Sequence, residues 1–222
     1  NKGVVLSKTL QDNLSPFIPK ENIYVLPNFY NNQLTEQIIE KSFSSLKICY
    51  LSNLMNEKGI FFLLDALEEL NAKGVPFKAT IAGHIDQSQE KKLLNKMAQI
   101  EGLSYKGLVR GEEKRQMLQD ANVFVLPTFY KMEGLPISII EAMATGNVII
   151  STDHGAISDL VTEGDNGFLI KKKSVDAILE KLLLLAKEPK VAKKISANNI
   201  AKAKKNFSDK KFSKGLLNII HA

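Results

Sequence analysis

Short apolar runs rich in β-branched and aromatic residues alternate along this chain with longer segments of helical periodicity. The apolar runs predict strands at 46–51, 77–82, 122–127, 147–152 and 167–170, with LSYKG (103–107) leading into another helix. The periodic segments predict helices over 58–74, 87–102, 111–121, 136–145, 174–187 and 190–205, and a helical turn near 156–162. This alternation predicts an α/β fold, a doubly wound, Rossmann-like parallel sheet covered by helices on both faces. In such a sheet, ligands bind beyond the carboxyl ends of the strands.

Composition excludes several other classes of protein. A chain of 222 residues can bury about 70% of its unfolded surface, enough for a core of ordinary size. The lone Cys49 cannot form an internal disulfide. No apolar run approaches the roughly 18 residues that span a bilayer, and no signal peptide opens the chain. Collagen-like, disordered, membrane-spanning and disulfide-scaffold proteins are therefore excluded, and we expect a cytoplasmic location.

The first 45 residues fit the alternation less well. VVLS and NIYVLP are predicted strands on either side of a helix in KTLQDNLSPF, and NFYNNQLTEQ has the composition of a polar linker. We interpret residues 1–45 as the end of a preceding domain plus an interdomain linker, 46–206 as the Rossmann-like domain and 207–222 as a carboxy-terminal helix. An extra strand and helix on the same sheet is the open alternative for residues 1–45. Because the chain begins with Asn1 rather than methionine, we expect it to be part of a longer protein.

The net charge of +6 is unevenly distributed, since residues 171–214 contain 14 lysines, no arginine and four acids. Such a segment fits a solvated helix face or a polyanionic partner. Nucleic-acid sites usually add arginine forks or exposed aromatic rings for stacking, and Phe207 and Phe212 are the only aromatic residues here. We therefore expect no nucleic-acid partner and keep an anionic membrane surface as an alternative, with peripheral association at the inner membrane face.

The segment EGLPISIIEAMATG (133–146), directly after the predicted strand NVFVLP, is the most informative stretch of the chain. Pro136 suits the first turn of a helix, where its missing N–H costs nothing. A helix N-terminus carries about half a positive charge and unpaired N–H donors, a ready site for phosphate. Glu133 precedes this helix, and Glu141 leans back toward its N-terminus from roughly 7.5 Å along the axis. Carboxylates only accept hydrogen bonds, which suits them to the paired hydroxyls of a ribose or a hexose.

The Glu-x7-Glu pattern in this segment resembles the signature of retaining GT-B glycosyltransferases of family 4, the group 1 glycosyl transferases. LSNLMNEKG (51–59) is similar to that family's G-R-L-x3-K-G loop. IAG (81–83), YKGLV (105–109) and DANVFVLP (120–127) are similar to further landmarks of the family, as are GAISDLV and EGDNGFLI. The likeness extends over about residues 20–208 and corresponds to the family's carboxy-terminal, donor-binding domain.

The resemblance implies a role for each matched residue. Lys58 would neutralise the donor diphosphate, Glu141 would hold the ribose and Glu133 would bind hydroxyls of the transferred sugar. Lys58 and Glu133 are thus the expected catalytic residues. The family uses no metal, and no Asp-x-Asp pair is present to hold one. The backbone around Val109 would contact the nucleobase. The residues expected to bind the nucleotide-sugar are Asn53, Lys58, Gly83, Val109, Glu133, Gly134, Leu135, Pro136 and Glu141.

The chain departs from the family pattern in several places. The family arginine that pairs with the lysine at the diphosphate is replaced by Asn53, which removes one phosphate contact. Asp159 takes the place of a family glutamate, and we expect it to order its helix. The family also needs a second, amino-terminal domain for most acceptor contacts. The resemblance therefore implies a hexosyltransferase-type enzyme of polysaccharide biosynthesis with a nucleotide-diphosphate sugar as donor and a glycan or lipid-linked acceptor, inactive as the isolated chain.

Two functions of other classes remain as alternatives. One is a nucleotide-sugar-binding module without catalysis, for which Asn53 would be the sign. The other is a membrane-surface module that acts through the lysine-rich helices. Among the remaining candidates, His84 follows a strand and is expected in a loop role, with donor contact as the alternative. His154 and His221 are expected to be incidental, and Cys49 is expected in the core.

Overall fold

The computed structural model describes residues 1–36 and 39–221 and contains two parallel sheets. A small sheet joins β1 (Gly3–Val5) to β2 (Ile23–Val25). The strands of the larger sheet are β3 (Leu46–Leu51), β4 (Phe77–Ala82), β5 (Leu103–Tyr105), β6 (Val123–Leu126), β7 (Val148–Thr152) and β8 (Gly167–Ile170). Their order is β5-β4-β3-β6-β7-β8, and every pairing is parallel. The order reverses between β3 and β6, so the predicted doubly wound sheet is confirmed.

Helices cover this sheet and follow the strands in sequence. They are α1 (Ile60–Ala72), α2 (Gln87–Ala98), α3 (Gly111–Asp120), α4 (Ile137–Ala144), α5 (Ile157–Leu160), α6 (Val175–Lys187), α7 (Pro189–Asn206) and α8 (Asp209–His221). Asp86 and Ser174 accept backbone N–H groups at the starts of α2 and α6, as polar residues at helix N-caps do. The ends of the predicted helices differ from the observed ones by a few residues, because capping groups set the ends more sharply than periodicity does.

Two inner strands of the large sheet, β6 and β7, explain why continuous apolar runs were sufficient to locate the sheet. Every residue of β6 and β7 is buried. Strands covered by helices on both faces cannot alternate apolar and polar residues. None of the helices in the described part of the chain combines the length and apolar character needed to cross a bilayer.

The amino-terminal segment differs from the sequence prediction in two ways. The helix predicted in KTLQDNLSPF is wrong, since only a 3-10 turn forms at Gln11–Asn13. Pro16 has no N–H to continue a helix, and Asp, Asn and Ser side chains favour turns. β1 and β2 also form a sheet of their own, so the alternative of an extra unit on the large sheet is wrong. The assignment of residues 1–45 to a preceding domain and linker stays a prediction.

This segment is fastened to the main sheet domain by specific hydrogen bonds. The backbone N–H and hydroxyl of Thr9 both donate to the carboxylate of Asp159, over 3.1 and 2.9 Å. The amide side chain of Asn28 donates to the carbonyl of Leu135 (2.8 Å). Asp159 therefore joins two parts of the molecule, a role beyond the ordering of its own helix that the sequence suggested.

Candidate active site

Three loops meet at the carboxyl edge of the large sheet, and glycines allow their close approach. A Cβ on Gly59, which has φ +80°, would lie 2.3 Å from the carbonyl oxygen of Pro127. A Cβ on Gly155, with φ +58°, would lie 2.4 Å from the carbonyl oxygen of Glu133. The loops after β3, β6 and β7 therefore touch through backbone, which only residues without a Cβ permit.

The predicted pair of catalytic residues is brought together at this meeting point. The ammonium of Lys58 donates to a carboxylate oxygen of Glu133 over 2.8 Å. The Thr128 hydroxyl donates to the same oxygen over 2.9 Å. The ammonium also lies 4.7 Å from the ring centroid of Tyr130. The side chains of Lys58 and Glu133 are only 14% and 8% exposed, so this is a largely desolvated charge pair in which each member compensates the other.

Glu141 lies on α4 and forms a second charged pair. Its side chain is 8% exposed and accepts from the ammonium of Lys114, on α3, over 2.5 Å. Lys114 also lines a cleft of about 380 Å³ between the start of α3 and the segment around Asn31 and Gln33. Lys114 therefore connects the carboxylate of Glu141 to a cleft that could receive a polar ligand.

The turn before α4 leaves backbone donors available. The helix begins at Ile137, one residue later than predicted, with Pro136 as its N-cap and no side chain capping it. Within the described part of the chain, the N–H groups of Gly134 and Leu135 have no hydrogen-bond acceptor. The carbonyls of these two residues are occupied, by the N–H of Ala156 and by the side chain of Asn28. Gly134 and Leu135 therefore combine unpaired N–H donors with engaged carbonyls, which suits an anion.

The other residues predicted to contact the nucleotide-sugar lie at the same edge of the sheet, but their exposure and hydrogen bonds differ. Asn53 follows β3 and has an exposed side chain. Its carbonyl accepts from the buried hydroxyl of Tyr50 over 3.0 Å, and burial raises the pKa of that phenol, which keeps it a donor. Val109 is half-buried just before α3. No hydrogen bond engages the backbone of Val109 in the described residues.

Gly83 has a packing role that the sequence did not indicate. A Cβ there would lie 1.7 Å from the carbonyl oxygen of Ser52, so glycine is required where the loops after β3 and β4 meet. Its N–H donates to the Gly107 carbonyl, and its own carbonyl accepts from the Tyr105 hydroxyl, each over 2.8 Å. Its polar backbone groups are therefore already engaged, and ligand contact by Gly83 stays a prediction.

Sequence reasoning missed four residues that shape this site: Lys114, Thr128, Tyr130 and His154. Lys114 and His154 come from elements distant in sequence from their partners. The ring nitrogen Nε2 of His154 lies 2.8 Å from the carbonyl oxygen of Tyr130, so His154 supports the loop that carries Glu133 rather than being incidental. Thr128 and Tyr130 directly follow the predicted strand 122–127, and that position was the available signal. The described residues contain no group of three or more His, Cys, Asp or Glu side chains arranged to hold a metal ion.

Comparison with known proteins gives the family. The profile of the family described as "Glycosyl transferases group 1" matches residues 33–202. The putative colanic acid biosynthesis glycosyltransferase WcaL of Salmonella typhimurium is 30% identical over 155 residues, which are 68% of this chain and 38% of the relative. The putative teichuronic acid biosynthesis glycosyltransferase TuaC of Bacillus subtilis is 33% identical over 159 residues, 70% of this chain and 38% of the relative.

Solved structures share the fold. The structure of Anabaena Alr3699/HepE in complex with UDP superposes with a TM-score of 0.83 at 17% identity, over 98% of this chain and 63% of that chain. The present chain spans about two fifths of the length of the two curated relatives. The family profile covers more than half of the 222 residues, and the chain belongs to the group 1 glycosyl transferases.

Proposed function

We propose that this chain is the donor-binding domain of a retaining glycosyltransferase that uses a nucleotide-diphosphate sugar. The observation that carries the proposal is the buried Lys58–Glu133 pair beside the free amides that precede α4. A fixed cation and a helix N-terminus together suit a diphosphate. The Anabaena structure with the same fold was solved with UDP, and this supports a nucleotide as the ligand.

The contacts suggest how a donor would be held. The diphosphate would lie between the Lys58 ammonium and the N–H groups of Gly134 and Leu135. The ribose hydroxyls would donate to the carboxylate of Glu141, which Lys114 orients from the neighbouring helix. The nucleobase would lie toward the backbone of Val109.

Glu133 is well placed to orient the sugar rather than to attack it. Its carboxylate already accepts from Lys58 and Thr128, which fixes its direction. In the proposed reaction, the bond from the anomeric carbon to the β-phosphate oxygen breaks, and the acceptor oxygen bonds that carbon on the same face. The acceptor proton passes to the departing phosphate oxygen. Lys58 would stabilise the charge that builds on this leaving group, since preorganised charge acts most strongly in a desolvated site.

The setting of the reaction is part of the same proposal. The two curated relatives are named as putative colanic acid and teichuronic acid biosynthesis glycosyltransferases, and we propose a glycan or lipid-linked acceptor in the cytoplasm. Because the chain spans about two fifths of those relatives, we propose that these 222 residues bind donor without transferring sugar. Catalysis needs an acceptor held in attack geometry, and such positioning can lower the activation free energy by about 7–11 kcal/mol.

Binding of nucleoside diphosphates tests the proposal. UDP, GDP or ADP at 100 times its dissociation constant should stabilise the fold by about 2.7 kcal/mol, a rise in melting temperature of roughly 5–10 °C at this size. Lys58→Met should abolish most of that rise. Lys73→Met is the matched control, because Lys73 is exposed at the other end of α1. If none of the three nucleotides moves the melting curve at millimolar concentration, the proposal fails.

A further inference from the structure

Three consecutive lysines lie on the same edge of the sheet as the candidate active site. Lys171, Lys172 and Lys173 directly follow β8, and Ser174 then caps α6. All three are exposed. Because β8 runs parallel to β3 and β6, its carboxyl end points to the same side as the loops that carry Lys58 and Glu133. We call residues 171–173 the lysine turn.

The lysine turn touches the site through an aromatic ring. The ammonium of Lys173 lies 4.7 Å from the ring centroid of Phe129, and the ammonium of Lys58 lies 4.7 Å from that of Tyr130. These rings belong to consecutive residues, whose Cα atoms are about 3.8 Å apart. Phe62 of α1 packs against the edge of Phe129 with centroids 5.9 Å apart, which holds that ring in place. The lysine turn is therefore a direct neighbour of the Lys58 site.

The charge of the lysine turn is not neutralised from within. Lys58 and Lys114 each have a carboxylate partner. Among the described residues, no carboxylate lies within ion-pair distance of Lys171–Lys173 or of the exposed Lys131 in the Tyr130–Glu133 loop. Four positive charges thus face solvent beside the site, and they attract anions.

The backbone of the turn is also unusual. Lys173 has φ 57° and is the one non-glycine residue of the described chain with a positive φ. The left-handed conformation is unfavourable for an ordinary L-residue, and such strain concentrates at ligand sites. Glycine would adopt this conformation without that cost, but it would remove the ammonium above Phe129.

We propose that the lysine turn binds a phosphate group carried by the acceptor, next to the donor diphosphate. The proposal rests on the proposed function, because an acceptor is present only if the site holds a sugar donor. Lysine recognises phosphate as a compact point charge. The lysines of the lysine turn have no carboxylate partner among the described residues, whereas Lys58 is paired with Glu133. The two anions would occupy opposite sides of the Phe129–Tyr130 pair. The acceptor is therefore a phosphorylated one, and its phosphate anchors it beside the reacting sugar.

The test measures a second anion with the donor site filled or disabled. Inorganic pyrophosphate is titrated by calorimetry into the chain saturated with nucleoside diphosphate, and separately into Lys58→Met. Binding should occur in both and should weaken by about 2- to 30-fold in Lys171→Gln/Lys172→Gln, since two exposed charge contacts are lost and each contributes about 0.2–1 kcal/mol. Lys187→Gln/Lys190→Gln is the matched control, with the same change of charge at two exposed positions where α6 ends and α7 begins. Lys173→Gly should keep the fold and weaken pyrophosphate binding.

The outcomes separate the two proposals. In one outcome, the unmodified chain binds no nucleotide while Lys58→Met still binds pyrophosphate through the lysine turn. That result would overturn the proposed function and leave only an anion site at the lysine turn. Equal pyrophosphate affinity in Lys171→Gln/Lys172→Gln and its control would overturn the lysine turn as a site. Vesicles of phosphatidylcholine with and without phosphatidylglycerol form the last arm. Capture by the anionic vesicles alone, with no pyrophosphate binding, would assign the turn to a bilayer surface and also overturn the proposal.

Discussion

At the scale of single residues, the site consists of two ammonium–carboxylate pairs with unequal surroundings. Glu133 shares its carboxylate between Lys58 and Thr128, whereas Glu141 is held by Lys114 from another helix. Each pair is mostly buried, so a change to one partner leaves a charge with poor solvation. The roles of the two glutamates can therefore be distinguished by measuring which ligands each variant still binds, and not only by loss of activity.

Isosteric substitutions should give different ligand profiles. Glu141→Gln should weaken nucleoside diphosphate and nucleotide-sugar alike, by about tenfold or more, because hydrogen bonds to a charged group contribute about 1.5–3 kcal/mol. Glu133→Gln should weaken only the nucleotide-sugar and leave nucleoside diphosphate binding unchanged or tighter, since it releases Lys58 from its ion pair. Calorimetry with both ligands on both variants measures this. Equal losses on both ligands for Glu133→Gln would refute its assignment to the sugar.

At the scale of elements, a lysine from the segment before β3 closes the end of α3. The ammonium of Lys41 donates to the carbonyls of Leu118 and Gln119 over 2.9 Å each, and also to that of Ala121. The final carbonyls of a helix lack partners within the helix and favour a cation. Burial nevertheless lowers the pKa of Lys41 to about 8. This side chain therefore occupies carbonyls at the end of α3 and joins the segment before β3 to that helix.

Loss of Lys41 should destabilise the fold in a pH-dependent way. Lys41→Met removes the hydrogen bonds that the ammonium donates to these carbonyls and should cost about 1–3 kcal/mol. Because the folded pKa lies below the usual 10.5, the unfolded chain binds the extra proton between about pH 8 and 10.5, and the lysine adds stability as pH rises through that window. The gap in urea midpoint between wild type and Lys41→Met should therefore widen from pH 7.5 to pH 9.5. A gap that narrows would contradict this account.

At the scale of the whole molecule, the small β1–β2 sheet is joined to the large-sheet domain by polar contacts. Burial raises the pKa of Asp159, but the hydrogen bonds from the backbone and hydroxyl of Thr9 outweigh burial and lower it. A lowered carboxylate pKa contributes stability above its unfolded value that is lost as pH falls through the folded value. Leu6, in the same segment, has a side chain that would lie 3.7 Å from a Cβ at Gly134. The amino-terminal segment thus adjoins the turn before α4.

Asp159→Asn should loosen this attachment without unfolding the sheet. An amide has one acceptor oxygen where the carboxylate has two, so the backbone N–H and the hydroxyl of Thr9 can no longer donate to separate oxygens of this side chain. Cleavage by a protease within residues 6–20 should accelerate several-fold at constant pH. The free energy of unfolding, measured from the thermal transition, should change by about 1 kcal/mol or less. Asp153→Asn is the control, because Asp153 lies exposed on the preceding loop and makes no side-chain hydrogen bond within the described chain. Equal cleavage of the two variants would contradict the role of Asp159.

The fold could be predicted from the sequence because its strands are buried on both faces. Runs such as 122–127 and 147–152 are apolar throughout, and the intervening helices have clear periodicity, so local pattern and tertiary structure agree. The amino-terminal segment could not be predicted in this way. The helical pattern there was only a few residues long, and turn-forming residues and Pro16 prevent a helix from forming. The strand that pairs with β1 lies about 20 residues away, so local pattern does not reveal the pairing.

The sequence alone determined which residue types occur beyond the strand ends, and so Lys58, Glu133 and Glu141 were predicted to lie on one edge. Only the tertiary structure decided which of them touch. The contacts of Glu141 with Lys114 and of Tyr130 with His154 join elements separated by more than 20 residues, and no local periodicity encodes such a pairing. The lysine turn shows the same division. Three lysines in sequence indicate only positive charge, whereas the parallel register of β8 puts that charge beside Phe129 and the candidate active site.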